Sequence, residues 1–480
     1  MKKRMLALDF GASSARAILG WVENHTLVTE EIHRWDNVPI DYEGHLCWDI
    51  DRLFAEIRCA LTKAHQAGGF DAVGIDTWGV DFGLLDCNGK LLQPPVHYRD
   101  KRTNGILDAV FQKISARRLY EITGSQIMEI NTAFQLFALH QQDPDIWNRA
   151  QTALLMPDLF AYFLTGVCGA EYSICSTTQL MDCRTGQWSE EVRTALGLPQ
   201  LFPPVTSSGV IRGSLSQQIC ASCGIPSVPV IAVAGHDTAS AVAAAWQDAP
   251  DTAFLSSGTW SLLGIERDTP VTEECACTLS FANEGGHGRK IHFLKNLTGL
   301  WLVQESRRQW EREGRLYSFA ELEKWTEQSN CTSRIDTQDP DLAVPGDLPG
   351  KIRILCERTA QTIPQTPGDF VRCIYESLAD TYAKTLNEIE QCTQISIQGL
   401  HIVGGGSRGN LFPQLIANRT GRTVFAGPVE ATVIGNLLVQ MEALGIPREG
   451  IYWQESIHTY MKSSDSVDSD RAVKEISKHP

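Results

Sequence analysis

A short hairpin occurs twice in this chain, once at its start and once near its middle. Met5-Leu6-Ala7-Leu8 is an apolar run, Asp9-Phe10-Gly11-Ala12-Ser13-Ser14 is rich in turn formers, and residues 15–21 return as an apolar strand carrying Arg16. The pattern reads as strand, small-residue turn, strand. Ala253-Phe254-Leu255 leads in the same way through Ser256-Ser257-Gly258-Thr259 into Trp260-Ser261-Leu262-Leu263-Gly264. Aligning Leu8 with Leu255 sets Gly11 on Gly258 and Ser13 beside Thr259. At roughly 150 residues per domain, 480 residues allow two large units or three ordinary ones, and the repeat selects two of related design.

The polar segment Gln247-Asp248-Ala249-Pro250-Asp251 precedes the second hairpin and marks the predicted boundary, giving units 1–246 and 247–480. Within each, strand-like runs such as Ala72-Val73-Gly74-Ile75 and Leu400-His401-Ile402-Val403 alternate with helical stretches, 52–66 and 370–390 among them. The alternation predicts α/β layers with mixed sheets. The polar, serine-rich stretch from Ser463 onward is assigned no role.

A net charge of −15 provides no positive field for a phosphate backbone, which argues against nucleic acid as a partner. Lys2, Lys3 and Arg4 resemble the start of a secretory signal, but Asp9 and Arg16 interrupt the apolar run behind them. No stretch approaches the roughly 18 apolar residues of a membrane span. The expectation is a cytoplasmic protein with its fourteen cysteines reduced. Cys220/Cys223 and Cys275/Cys277 are too far apart for a usual zinc framework, so they read as buried, inert thiols.

A turn of Gly, Ser and Thr aims several backbone N–H groups at one point, and two such nests facing each other suit a triphosphate. Each alone is equally a plain tight turn. Asp9, at a strand end, suits an outer-shell carboxylate for Mg²⁺ or an Asx-turn former. Asp237, in Ala234-Gly235-His236-Asp237-Thr238-Ala239-Ser240, lies at a strand-to-helix junction. By residue statistics it is a helix N-cap. It also suits a general base for phosphoryl transfer, made weak by the positive helix end.

Gly74-Ile75-Asp76-Thr77-Trp78-Gly79-Val80-Asp81-Phe82-Gly83 places an indole and a glycine beside carboxylates, which suits a small polyol or a plain strand pair with a core Trp. Asn296 and Gln304, in the 295–304 segment, could face a cleft. Gly346 to Lys351 mimics a Walker loop but is one residue short and ends in Ile352, so it is rejected. Gly404-Gly405-Gly406-Ser407-Arg408-Gly409 matches a dinucleotide fingerprint, with Glu430 some twenty residues on. Glu430 reads as a helix-start residue instead, which favours a backbone floor under a nucleotide, with Gly435 permitting close approach of the next helix.

Seven ordered blocks, running from Ala7-Leu8-Asp9-Phe10-Gly11 through Tyr98-Arg99-Asp100-Lys101-Arg102-Thr103, Leu155-Met156-Pro157-Asp158 and His236-Asp237-Thr238 to His401-Ile402-Val403-Gly404-Gly405-Gly406, make the chain similar to the FGGY carbohydrate kinases. The resemblance implies an α/β, actin-like fold of the sugar kinase, Hsp70 and actin type, with two RNase H-like domains around an ATP cleft. It implies ATP and Mg²⁺ as cofactors and transfer of the γ-phosphoryl group to the 1-hydroxyl of L-rhamnulose. Ala12, Ser13, Ser14, Ala15, Arg16, Thr259, Gln304 and Gly405 match positions that contact ATP. Trp78, Gly79, His236, Asp237, Thr238 and Asn296 are assigned to the sugar, with Asp237 as base and Asp9 near the metal through water. One departure is Ala15, where the family commonly has glycine; alanine would be strained there at positive φ and accepted in a strand. Whether Arg16 reaches phosphate or only lines a strand is open. Other ketoses such as fuculose or xylulose, an NAD-dependent oxidoreductase using Gly404 to Gly409, and a non-catalytic sensor are the alternatives. Both a monomer and a homodimer are compatible with the sequence.

Overall fold

The computed structural model describes residues 2–245, 251–448, 450–453, 457–463 and 474–475. Most of the expected boundary segment, 246–250, lies outside the described residues, as does most of the stretch after Ser463. Two mixed sheets organise the rest. The first runs Val210–Ser214, Pro229–Ala232, Ala72–Thr77, Arg4–Phe10, Ser14–Glu23, Thr26–Asp36 and Tyr452–Trp453. The second runs Ala282–Gly285, Ile291–Thr298, Trp260–Arg267, Thr252–Ser257, Gly399–Val403, Thr423–Ala426, His458–Tyr460 and Lys474–Glu475.

The two hairpins occupy equivalent places. Arg4–Phe10 is antiparallel to Ser14–Glu23 and parallel to Ala72–Thr77, while Thr252–Ser257 is antiparallel to Trp260–Arg267 and parallel to Gly399–Val403. Each parallel pairing needs a long crossover, and each crossover contains a capped helix. Asp49 accepts from Arg52 N to start Ile50–Gln66, whose Leu53, Ile57, Ala60, Leu61 and Ala64 fall on one face. Thr366 and Asp369 form a capping box for Pro367–Thr393, which ends at Gln394 in the left-handed conformation.

Both faces of the first hairpin strand are buried, as expected of a strand covered on two sides. Leu6 and Leu8 pack toward Ile57 and Leu61, while Met5 and Ala7 pack toward Ala241, Ala244, Ile434 and Leu437. These last residues belong to the helices Asp237–Ala244 and Ala431–Ala443, which lie between the sheets. They pack closely because a Cβ on Gly435 would overlap the Ser240 carbonyl oxygen. Tyr452–Trp453 pairs in parallel with Thr26–Asp36, so the first sheet takes an edge strand from late in the sequence.

One expectation is overturned. Cys275 and Cys392 form a disulfide with their Cα atoms 5.6 Å apart, where reduced thiols were expected. Helix Glu274–Thr278 docks on Pro367–Thr393 and brings together residues 117 apart in sequence. Cys220, Cys223 and Cys277 are free. Among the described residues no helix is long and apolar enough to cross a membrane.

Candidate active site

Both hairpin turns open onto one cleft of about 420 Å³. The first is closed by Gly11 N donating to Ser14 O (3.0 Å) and is pinned by Asn37, whose side chain donates to Gly11 O (2.6 Å). The second is closed by Gly258 N donating to Trp260 O (2.9 Å). Thr259 Oγ1 donates to Gln304 Oε1 (3.2 Å), tying this turn to helix Trp301–Arg312. The glycine loop after Gly399–Val403 closes against it; Gly404 has φ +82°, and a Cβ there would lie 3.0 Å from Ser257 O. Gly435 allows close approach of helix to helix, as expected of it, but it is not among the residues lining the cleft.

Asp9, Ala12, Ser13, Ser14, Arg16, Trp78, Gly79, His236, Asp237, Thr238, Thr259, Asn296, Gln304 and Gly405 all line this cleft. Ala15 does not. It faces Phe10 across the hairpin and is buried, the strand alternation sending its neighbours Ser14 and Arg16 to the opposite face. Its backbone is extended strand, so alanine carries no strain there. Arg16 lies on the strand, yet its guanidinium enters the cleft, where Nε and Nη2 both donate to Asp9 Oδ2 (2.8 Å each) and Nη1 pairs with Glu430.

Three carboxylates gather at the cleft floor. Asp9 and Asp76 are register partners on adjacent parallel strands. Burial, and then the charges of Asp9 and Asp237, push Asp76 well above the usual carboxylate range, although Asn436 Nδ2 donates to it (2.6 Å). Asp237 is the first residue of its helix; the N-cap position is His236, so the N-cap reading is corrected. Its Oδ1 accepts from Thr238 N (2.6 Å). The expectation that the helix end lowers its pKa is corrected as well. Burial raises it, with Asp9 adding to the rise and His236 opposing it. Even so, 32% of the side chain is accessible from the cleft.

His236 is held between carboxylates, with Nε2 3.5 Å from Asp237 Oδ1 and Nδ1 3.3 Å from Glu284 Oε2. Burial lowers its pKa, but the Glu284 and Asp237 charges outweigh burial and leave it raised. Glu284 belongs to the second sheet and also accepts from Asn296 Nδ2 (3.2 Å). The loop before Asp237 is anchored by buried Glu171, whose Oε2 accepts from Gly235 N (2.9 Å), Ser173 N (2.9 Å) and Ser173 Oγ (2.6 Å). Asp81 is buried beneath the cleft instead of facing it, accepting from Trp48 Nε1 (2.7 Å), Trp78 Nε1 (3.0 Å), Tyr98 N (3.2 Å) and Gln135 Nε2 (3.1 Å). Burial pushes its pKa up to about 6 against those donors.

Sequence reasoning missed Asn37, Glu171 and Glu284. Glu171 and Glu284 lie inside short strands and Asn37 in the connection after Thr26–Asp36, and no sequence signal separates any of them from a surface position. Glu430 stands at the start of helix Ala431–Ala443 as read, paired with Arg16 and Arg408 and not placed as a ribose carboxylate.

The FGGY family of carbohydrate kinases matches through its N-terminal domain over residues 4–244 and its C-terminal domain over residues 253–444. A rhamnulokinase of Halalkalibacterium halodurans is 42% identical over 442 residues, covering 92% of this chain and 93% of that protein. A rhamnulokinase of Bacteroides thetaiotaomicron is 41% identical over 450 residues, covering 93% and 92%. Among solved structures, a ligand-bound xylulose kinase from Lactobacillus acidophilus superposes with a TM-score of 0.76 at 15% identity, covering 93% of this chain and 91% of that one. A Plasmodium falciparum glycerol kinase with ADP gives 0.74 at 14%, covering 95% and 94%. These likenesses carry the fold, the actin-like α/β architecture of the sugar kinases.

Proposed function

Because this chain belongs to the FGGY family of carbohydrate kinases, we propose that it transfers the γ-phosphoryl group of ATP to the 1-hydroxyl of L-rhamnulose. The observation that carries this reading is the single cleft in which both hairpin turns, the Trp78 indole and the Asp237 carboxylate meet. The rhamnulokinases among its relatives, near 40% identical over most of the chain, favour rhamnulose over fuculose or xylulose. The nucleotide reading of Gly404 and Gly405 is supported by their place beside the second hairpin.

In this reading the units 1–246 and 247–480 close on ATP. Ala12, Ser13, Ser14, Thr259, Gln304 and Gly405 line the ATP side, and Trp78, Gly79, His236, Thr238 and Asn296 orient the sugar. The sugar O1 forms a bond to the γ-phosphorus as the bond to the β,γ-bridging oxygen breaks, ADP leaves, and the O1 proton passes to the Asp237 carboxylate. The raised proton affinity of Asp237 suits that role better than its helix position alone would. Asp9, beside Asp76, offers carboxylate oxygen that fits Mg²⁺ held through water and would hold the ion there. Bound there, Mg²⁺ neutralises phosphate charge. An ATP-using enzyme with these relatives is expected in the cytoplasm.

ADP release measured over L-rhamnulose, L-fuculose and D-xylulose tests the reading. L-rhamnulose should give the highest kcat/KM, and Asp237→Asn should lose about 10²–10⁴-fold in kcat while still binding ATP. Faster turnover of another ketose would displace rhamnulose, and a kcat near wild type in the variant would displace Asp237 as the base.

A further inference from the structure

Val80 lines the sugar end of the cleft with φ +66°. Among the described residues it is the β-branched one in the left-handed region, where its Cβ substituents crowd its own backbone. Such strain persists only where the surroundings over-determine it. Here Val80 N donates to Thr177 Oγ1 (3.1 Å), and Val80 O accepts from Thr132 Oγ1 (2.6 Å) and Gln135 Nε2 (3.4 Å). The same buried Gln135 amide donates to Ile130 O (2.8 Å). One side chain therefore sets Val80 and Ile130 next to each other, and both line the cleft. Glycine would meet the backbone requirement without strain. What valine adds is an apolar surface.

We propose that Val80, with Ile130, forms the wall that receives the methyl end of a 6-deoxyketose, which makes Val80 a specificity-determining residue. This rests on the L-rhamnulose reading above. L-Rhamnulose and L-fructose differ only in that the latter carries a hydroxyl on C6. Against Val80 and Ile130 that hydroxyl gives up water and gains no partner. Apolar pockets discriminate against such an added hydroxyl by at most about 10²-fold, so a ratio of kcat/KM values of about 10 to 100 in favour of L-rhamnulose is expected.

The test is that ratio in wild type, Val80→Gly and Ile130→Thr, each with a melting temperature and a KM for ATP. Val80→Gly should keep or raise the melting temperature and leave the KM for ATP unchanged, while the ratio falls at least about fivefold. Ile130→Thr, which offers the C6 hydroxyl a partner, should move the ratio the same way. A ratio unchanged in both variants, or an equal loss on both sugars, overturns the proposal. Wild-type turnover of L-rhamnulose with a ratio near one overturns this inference alone; no turnover of L-rhamnulose overturns the functional reading and this inference with it.

Discussion

Replacing Glu284 by Gln tests whether the basicity of Asp237 is set from across the cleft. Glu284 is 3.3 Å from His236 Nδ1, and His236 Nε2 is 3.5 Å from Asp237 Oδ1. Burial alone would lower the His236 pKa; Glu284 heads the influences that raise it. Without that carboxylate the proton affinity of the imidazole falls, and Asp237 loses part of the positive charge that lowers its pKa. At 3.5 Å, opposite unit charges interact by about 5 kcal/mol at an effective dielectric of about 20, and by about 1 kcal/mol in bulk water. Since Asp237 is partly open to the cleft, the lower half of that range applies. At about 1.4 kcal/mol per unit, the acidic limb of kcat should rise by about one to two pH units.

The assay is ADP release under saturating ketose and ATP from pH 5 to 9. Glu284→Gln should lose activity on the acidic side of the profile, with the limb displaced upward by about one to two pH units, and recover toward wild type as the pH rises and Asp237 ionises. A purely structural role would depress kcat equally at every pH. Stability provides a second check. Glu284 is held below its ordinary value despite burial, so its contribution is lost as pH falls through that depressed value. His236 is held above its own, so its contribution is lost as pH rises through the raised one. The pair therefore stabilises between those limits, and the variant should lose that stability inside the window only. An unmoved acidic limb with wild-type kcat at pH 7 would refute the reasoning.

Two further perturbations address how the site is supported. Gly435→Ala drives a methyl group into the Ser240 carbonyl oxygen and should push Ala431–Ala443 off Asp237–Ala244, costing about 1–3 kcal/mol or more in urea unfolding and lowering kcat, because Asp237 heads the displaced helix. Arg212→Met strands Asp158, its buried partner at 2.9 Å, and should cost about 3–5 kcal/mol. Burial already pushes the Asp158 pKa up to about 7 despite Arg212, so the variant should lose more stability as pH rises and the unpaired carboxyl is forced to ionise. Combining it with Asp158→Asn should restore most of the loss.

What could be read from the sequence was local. A hairpin announces itself through its own turn residues, and Asp9, Thr259 and Gly405 lie in or beside such turns, so their presence at one cleft followed from two turns facing each other. Glu284 and Glu171 act on residues far along the chain, and the 117-residue separation of Cys275 and Cys392 carries no spacing signal at all. Asp237 shows the limit most clearly. Its place at a helix start predicts a lowered pKa, but burial and the Asp9 carboxylate come from elements the local pattern cannot supply, and they reverse the sign.

The same distinction decides how a chain at −15 can bind a triphosphate. Arg16, Arg34 and Arg408 line the cleft, but the Arg16 guanidinium is already shared between Asp9 and Glu430, Arg34 pairs with Glu31, and Arg408 also reaches toward Glu430. An arginine committed to two carboxylates offers little net field to a phosphate. For the proposed ATP, attraction therefore falls to the backbone N–H groups of the two turns and to a cation on the Asp9 side, neither of which enters the count of charged residues.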